Sequence, residues 1–177
     1  MIIGVTGFWT VVASPLLSIP KTEPMNLIEL KERQDLSQNK ELNRVYIQLG
    51  NLLNELNKQQ LANNITELIN QDIVEINKTD LKGNALLKLV RQKETKIITL
   101  LEKQLKIVPK KYYYNHWMTK GMAAFGFPIG VVFGLSIGNM AMIAIGLPIG
   151  VAIGAAVGAG MDKKASDEGR QLDIEIK

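Results

Sequence analysis

The sequence predicts an all-α protein. Antiparallel cytoplasmic helices, as a small bundle or coiled coil, are followed by a two-helix transmembrane hairpin of the glycine-zipper type. Three observations carry this prediction. Residues 121–161 hold no Asp, Glu, Lys, Arg or His over 41 consecutive positions. Within that run one glycine pattern is written twice, Gly126, Gly130, Gly134 and Gly138 against Gly146, Gly150, Gly154 and Gly158, at an offset of 20 residues. Upstream, apolar residues recur at spacings of three and four through well-charged segments, which is the helical period.

The chain of 177 residues is 46% hydrophobic and carries a net charge of +4, which suits one modest helical domain beside a membrane element. Residues 1–24 are the first element. Met1 to Ile19 are uncharged, lack the basic start of a signal peptide, and are weakened as a span by Gly4, Gly7 and Pro15. Three readings stay open. The segment is an over-extended start with Met25 the natural first residue, an interfacial or membrane segment, or a cleaved signal.

Residues 25–109 are the predicted cytoplasmic domain. Asn26–Gln34 reads at best as a short amphipathic helix. Leu42, Val45, Leu49, Leu52 and Leu56 then form a coiled-coil-like seam about two heptads long, with Ser37 or Asn39 as its cap. Gly50 inside it costs ~1 kcal/mol relative to alanine. Asn63-Asn64 marks a break. Ile65, Leu68, Ile69, Ile73 and Ile76 continue an apolar face. A turn at Asn77–Asp80 offers Asp80 as the next N-cap. The last helix is expected from about Lys82 to Val108, with Leu86, Val90, Ile97, Leu101 and Leu105 inward, a seam interrupted around Gln92–Lys96, and Pro109 as its stop. Two or three antiparallel helices would bury this seam. A seam so short is marginal alone, so it also serves as a candidate oligomer interface.

Residues 110–120 read as a membrane-interface anchor. Lys110, Lys111, Tyr112, Tyr113, Tyr114, Trp117 and Lys120 place cations and amphipathic rings at headgroup level, and Lys163 and Lys164 do so after the second span. The Gly138-Asn139 turn has no basic residue, so the positive-inside rule puts both ends in the cytoplasm. Nine Lys/Arg against Glu94 and Glu102 over residues 82–111 point to the anionic lipid of the inner leaflet, at about 1 kcal/mol per nearby cation. Nucleic acid is not expected, because the stretch is lysine-rich without arginine-rich or aromatic recognition motifs.

Residues 121–161 are the hairpin. One span needs about 20 apolar residues to cross about 30 Å of hydrocarbon. As a single helix the run would reach about 62 Å, so it must cross, turn at Gly138-Asn139 and return. The spans are placed near residues 117–137 and 140–161. Glycines four apart share one helix face and let another backbone approach closely, which is how helices associate in lipid. The partner is the other span, another copy, or both. Pro128 and Pro148 should kink their helices and free the carbonyls of Ala124 and Ala144. Such carbonyls either line a pore or are satisfied locally. Nine of 17 positions match between residues 122–138 and 142–158, an inverted repeat once the chain folds back.

Residues 162–177 form a polar tail. Leu172, Ile174 and Ile176 alternate as in a half-buried strand, but no partner strand is expected in this chain, so the tail is read as flexible, with a strand added to a partner protein as the alternative.

The chemistry of the chain is sparse. There is no cysteine and one histidine, His116, without further ligands at metal-binding spacing. The glycine runs lack the strand before them and the Lys-Ser/Thr after them that a phosphate loop needs. No catalytic, cofactor or metal site is expected, and the chain is read as no enzyme. The uncharged hairpin also lacks the ionisable group that marks proton relays.

The glycine hairpin resembles the rotor-ring subunit of ATP synthases over residues 121–161, without that family's proton-carrying carboxylate, so packing is implied and proton transport is not. Residues 146–164 with Glu168-Gly169-Arg170 resemble small uncharacterised bacterial glycine-zipper membrane proteins, which implies an inner-membrane setting. The expected function is a non-enzymatic membrane protein that assembles with itself or with a membrane protein partner. A pore-forming toxin, holin-like protein or defence effector, and a membrane immunity protein, are the alternatives.

Overall fold

The computed structural model describes residues 25–176, so the readings of residues 1–24 lie outside the described residues. The described chain is mostly helical, with five helices and one small two-stranded sheet. The first three are α1 (Lys40–Asn57), α2 (Asn63–Lys78) and α3 (Gly83–Leu105). Two long apolar helices follow, α4 (Tyr112–Ile137) and α5 (Met140–Asp167). Strand β1 (Val108–Lys110) precedes α4 and strand β2 (Gln171–Glu175) follows α5.

Asn39 caps α1, accepting the N–H groups of Glu41 and Leu42 at 3.1 Å each, while the Ser37 hydroxyl donates to the Gln34 carbonyl. Leu42, Val45, Leu49, Leu52 and Leu56 are buried as expected, with Ile65, Ile69, Ile73 and Ile76 of α2 and Leu86, Val90, Ile97 and Leu101 of α3. Leu68 is a correction, being 42% exposed. At 3.6 residues per turn it points roughly 95° away from the mean direction of the other four. Leu105 is half-buried at the core margin.

The interruption of the α3 seam is a buried carboxylate. Glu94 is 5% exposed and accepts a hydrogen bond from Gln48 Nε2 of α1 at 2.9 Å. On the neighbouring face, Asp72 of α2 accepts from both Lys93 and Lys96 at 2.8 Å. Asp80 is not the cap of α3: that position is Lys82, which makes no side-chain cap bond. Nor does Pro109 end the helix. Lys106 turns left-handed, with φ of 57°, and breaks the helix three residues sooner.

That early stop overturns the expectation of a flexible tail. The residues it releases form β1, which pairs in parallel with β2 in the register Val108↔Gln171 and Pro109↔Leu172. Parallel strands need a long crossover between them; here the crossover is the whole α4–α5 hairpin. Leu172 is 2% exposed and belongs to the same core as α1–α3. A further correction concerns Asn26–Gln34: residues 26–33 are not helical, and Gln34 only opens a short 3₁₀ turn.

Candidate functional site

The sequence points to the glycine faces. In the structure α4 and α5 run antiparallel with their backbones in near contact. A Cβ added to Gly146 would lie 2.5 Å from the Gly130 Cα, one on Gly150 2.5 Å from the Gly126 Cα, and one on Gly158 2.5 Å from the Tyr113 carbonyl oxygen. At Gly154 it would fall 2.8 Å from the Trp117 carbonyl carbon. Gly126 and Gly130 look back at Leu147 and Ile143, at 3.1 and 3.0 Å to their Cα atoms. These six glycines therefore face the other helix of the same hairpin. Two members of the expected faces differ. Gly134 has ordinary room, 3.4 Å to the Ile143 side chain. Gly138 meets nothing within 4 Å; its φ of 69° makes it the turn residue.

Gly121 joins the face unannounced: its Cβ would lie 2.6 Å from the Gly154 Cα. It precedes Gly126 by five residues, a spacing that falls off one face of a regular α-helix. The structure resolves this with a π-turn over Met122–Gly126, where the Phe127 N–H reaches back to the Met122 carbonyl. The extra residue in that turn lets a spacing of five serve as one turn. The turn ends two residues before Pro128. The equivalent residues of the second repeat, starting at Met142, make no such turn, and α5 runs through Pro148 as a helix. The inverted repeat in sequence is thus not a symmetric repeat in structure.

Below the glycines sits a collar that the sequence did not announce. Asp162, 9% exposed, accepts the N–H groups of Tyr113 at 3.0 Å and Tyr114 at 2.8 Å. Its carboxylate thus caps the amino end of α4 from α5, where unpaired N–H groups and the helix dipole favour negative charge. The Tyr113 ring packs on Val108 and Ala165, and its hydroxyl donates to Glu102 at 3.3 Å. Arg170 donates to the Lys106 carbonyl at 2.6 Å, and the Val108 N–H donates to the Arg170 carbonyl at 3.0 Å.

The expected interface anchor is partly redeployed by this collar. Tyr113 is buried inside it. Lys110 pairs with Asp173 and Lys111 with Glu175 of β2, the latter at 3.0 Å. The hydrogen bond and charge of Asp173 push the Lys110 ammonium up, and Lys110 holds the Asp173 carboxyl down. Tyr112 stacks on His116 with ring centres 5.9 Å apart. Lys120 lies 5.5 Å from the centre of the Trp117 ring, within cation–π range. Tyr114 is half-buried, and Lys163 and Lys164 are exposed. A cleft of about 510 Å³ opens beside His116, between α3 and α4, bordered by Thr95, Thr99, Lys110 and Lys120. Among the described residues no three His, Asp or Glu side chains converge as a metal site would require.

No family model, curated protein or solved structure matches this chain.

Proposed function

We propose that this is a non-enzymatic protein of the bacterial inner membrane, in which a glycine-zipper hairpin anchors a cytoplasmic helical domain that acts through self-assembly or a protein partner. The observation that carries this reading is the outer surface of the hairpin. Phe127 is 59% exposed, Val132 63%, Leu135 69% and Ile137 56%, and no other described element covers them. Contiguous apolar surface of this kind needs lipid or protein around it. Both helices are long and apolar enough to cross a membrane, at 26 and 28 residues.

The glycines spend their close approach within one hairpin. That favours an anchor over a ring whose subunits meet through glycine. The bacterial setting rests on the resemblance of the second span and its flank. Orientation rests on the basic residues at the hairpin base and their lack at Gly138-Asn139. Topology reporters inserted at Asn139 and fused after Lys177 test it. The expected result is an external Asn139 with an internal carboxyl end; an internal Asn139 or an external carboxyl end overturns the orientation.

A further inference from the structure

Residues 25–33 form an extended strap held by the side chains of one helix face. Asn70 accepts the Ile28 N–H at 2.8 Å and donates to the Asn26 carbonyl at 3.1 Å. Asn77 repeats the arrangement one step on, accepting the Lys31 N–H and donating to the Glu29 carbonyl, both at 2.9 Å. Asn63 accepts the Met25 N–H at 3.3 Å. An asparagine amide has the donor and acceptor of a peptide group, so each pinches the strap as a neighbouring strand would.

The register has a simple origin. Asn63, Asn70 and Asn77 are seven residues apart on α2, about 10.5 Å along a helix axis. Met25, Ile28 and Lys31 are three apart on the strap, about 10 Å of extended chain. Two turns of helix therefore nearly match three residues of extended peptide, with a drift of only about 20° around the helix per step. Further bonds to main chain surround it: Asn57 of α1 accepts the Leu27 N–H at 3.3 Å, and the Tyr46 hydroxyl donates to the Lys31 carbonyl at 2.8 Å.

What the asparagines read is main chain. Leu27 is buried and Leu30 half-buried against the α1–α3 core, Arg33 donates to the Thr79 and Leu81 carbonyls at 3.1 and 2.8 Å, and Met25 and Ile28 are 47% and 40% exposed. A surface that recognises peptide groups, two leucines and one arginine accepts the same segment whichever molecule it comes from. A short 3₁₀ turn, Gln34–Gln38, joins the strap to α1, flanked by extended Arg33 and Asn39. Opening that turn carries the strap from its own α1 and α2 to those of another copy, where the bonds to Asn57, Tyr46 and the asparagines re-form, the geometry in which identical segments exchange between copies.

We propose that the asparagine face of α2 is a receptor for an extended peptide main chain, filled here by residues 25–33 of the same molecule and in trans by those residues of a second copy. The site is independent of the hairpin and of whether it crosses a membrane.

Two measurements on the full chain test this. In the first, a photoreactive benzophenone residue replaces Met25 in a tagged population, which is mixed with untagged protein in detergent. Crosslinks from the tagged strap to α2 of untagged molecules are expected, at a yield that falls at least about tenfold when the untagged partner carries Asn70→Leu and Asn77→Leu. Exclusively intramolecular crosslinks overturn the exchange. In the second, Ile28→Pro/Lys31→Pro removes the two pinched N–H groups and vacates the face, with retained helicity as the folding control. A fluorescent peptide of residues 25–34 should bind this variant at least about tenfold more tightly than it binds the wild type. The same peptide N-methylated at Ile28 and Lys31 should lose that binding. Equal binding of the two peptides, or none to a folded variant, overturns main-chain recognition. If the double-proline chain does not fold, the crosslinking result on the otherwise native strap decides.

Discussion

At the residue scale the hairpin makes a sharp distinction between glycines that look alike in the sequence. A Cβ on Gly158 would press on the Tyr113 carbonyl oxygen, whereas one on Gly160 meets nothing within 4 Å. Gly158→Ala should therefore destabilise the hairpin by about 1–3 kcal/mol or more through overpacking, and Gly160→Ala should be neutral or slightly stabilising. Thermal unfolding in detergent followed by helicity measures both; equal midpoints for the two variants would remove the close-packing account. Gly50 gives the opposite case. It sits mid-helix in α1 with open space at its Cβ position, so Gly50→Ala should raise stability by about 0.5–1 kcal/mol, read as a higher midpoint in the same assay. The packing glycines were legible because spacings of four are a regular feature of a helix face. Gly121 was not, since only a π-turn makes a spacing of five equivalent. Asp162 was not, since its partners are backbone N–H groups 48 and 49 positions away in the chain.

At the element scale the helices and most of their inward faces were readable from periodicity, because burial of leucine and isoleucine decides them. The strap and β1 were not, and the alternation of Leu172, Ile174 and Ile176 showed a strand pattern without showing its partner. An extended segment held by asparagine side chains has no apolar period, although the recurrence of Asn63, Asn70 and Asn77 at sevens was there to be seen. The end of α3 is not visible in the sequence because its left-handed residue is Lys106, where glycine is the usual signal. Glu94 explains the broken seam of α3 and makes it sensitive to pH. Burial pushes its carboxyl up, against the Gln48 hydrogen bond and the charges of Arg91 and Arg44. The folded chain then keeps this proton at pH values where the unfolded chain, with an ordinary value of about 4.3, has released it. Stability must fall as pH rises through that window and level off above the folded value. Glu94→Gln should remove this slope, giving a variant more stable than wild type at pH 7, with an advantage that shrinks to nothing below about pH 4. Urea midpoints across pH 3–7 in detergent measure it; parallel curves for the two proteins would contradict the assignment. Asp72 supplies an internal contrast. Burial raises its carboxyl, but the hydrogen bonds and charges of Lys93 and Lys96 outweigh that and hold it down. Its contribution is present above the ordinary aspartate value of about 3.9 and is lost in acid, in wild type and variant alike.

At the scale of the whole molecule, the sheet decides how the two halves are joined. The chain enters the hairpin through β1 and leaves it through β2, and their pairing closes the base of the hairpin onto the core of α1–α3. The same pairing alters the electrostatics expected of the approach to α4. Of the basic residues that the sequence directs toward anionic lipid, Lys110 and Lys111 pair with Asp173 and Glu175 of β2, and Lys106 pairs with Glu102 one turn back. All three pairs are at least partly exposed, so they add little stability, but they neutralise part of the positive charge at the base of the hairpin. Asp173→Asn with Glu175→Gln frees Lys110 and Lys111 while leaving Leu172 to hold β2 in the core. Each freed cation gains about 1 kcal/mol beside an anionic surface, and that gain decays within a Debye length, about 8 Å at physiological salt. The full-length double variant in nanodiscs should therefore show Lys110 and Lys111 protected from amine acylation by anionic lipid, with the protection lost in neutral lipid and at high salt. The wild type, its lysines already paired, should show a smaller difference between the two lipids. Labelling of these lysines that ignores lipid charge in the double variant would place the base of the hairpin away from the headgroups and leave its basic surface to a protein.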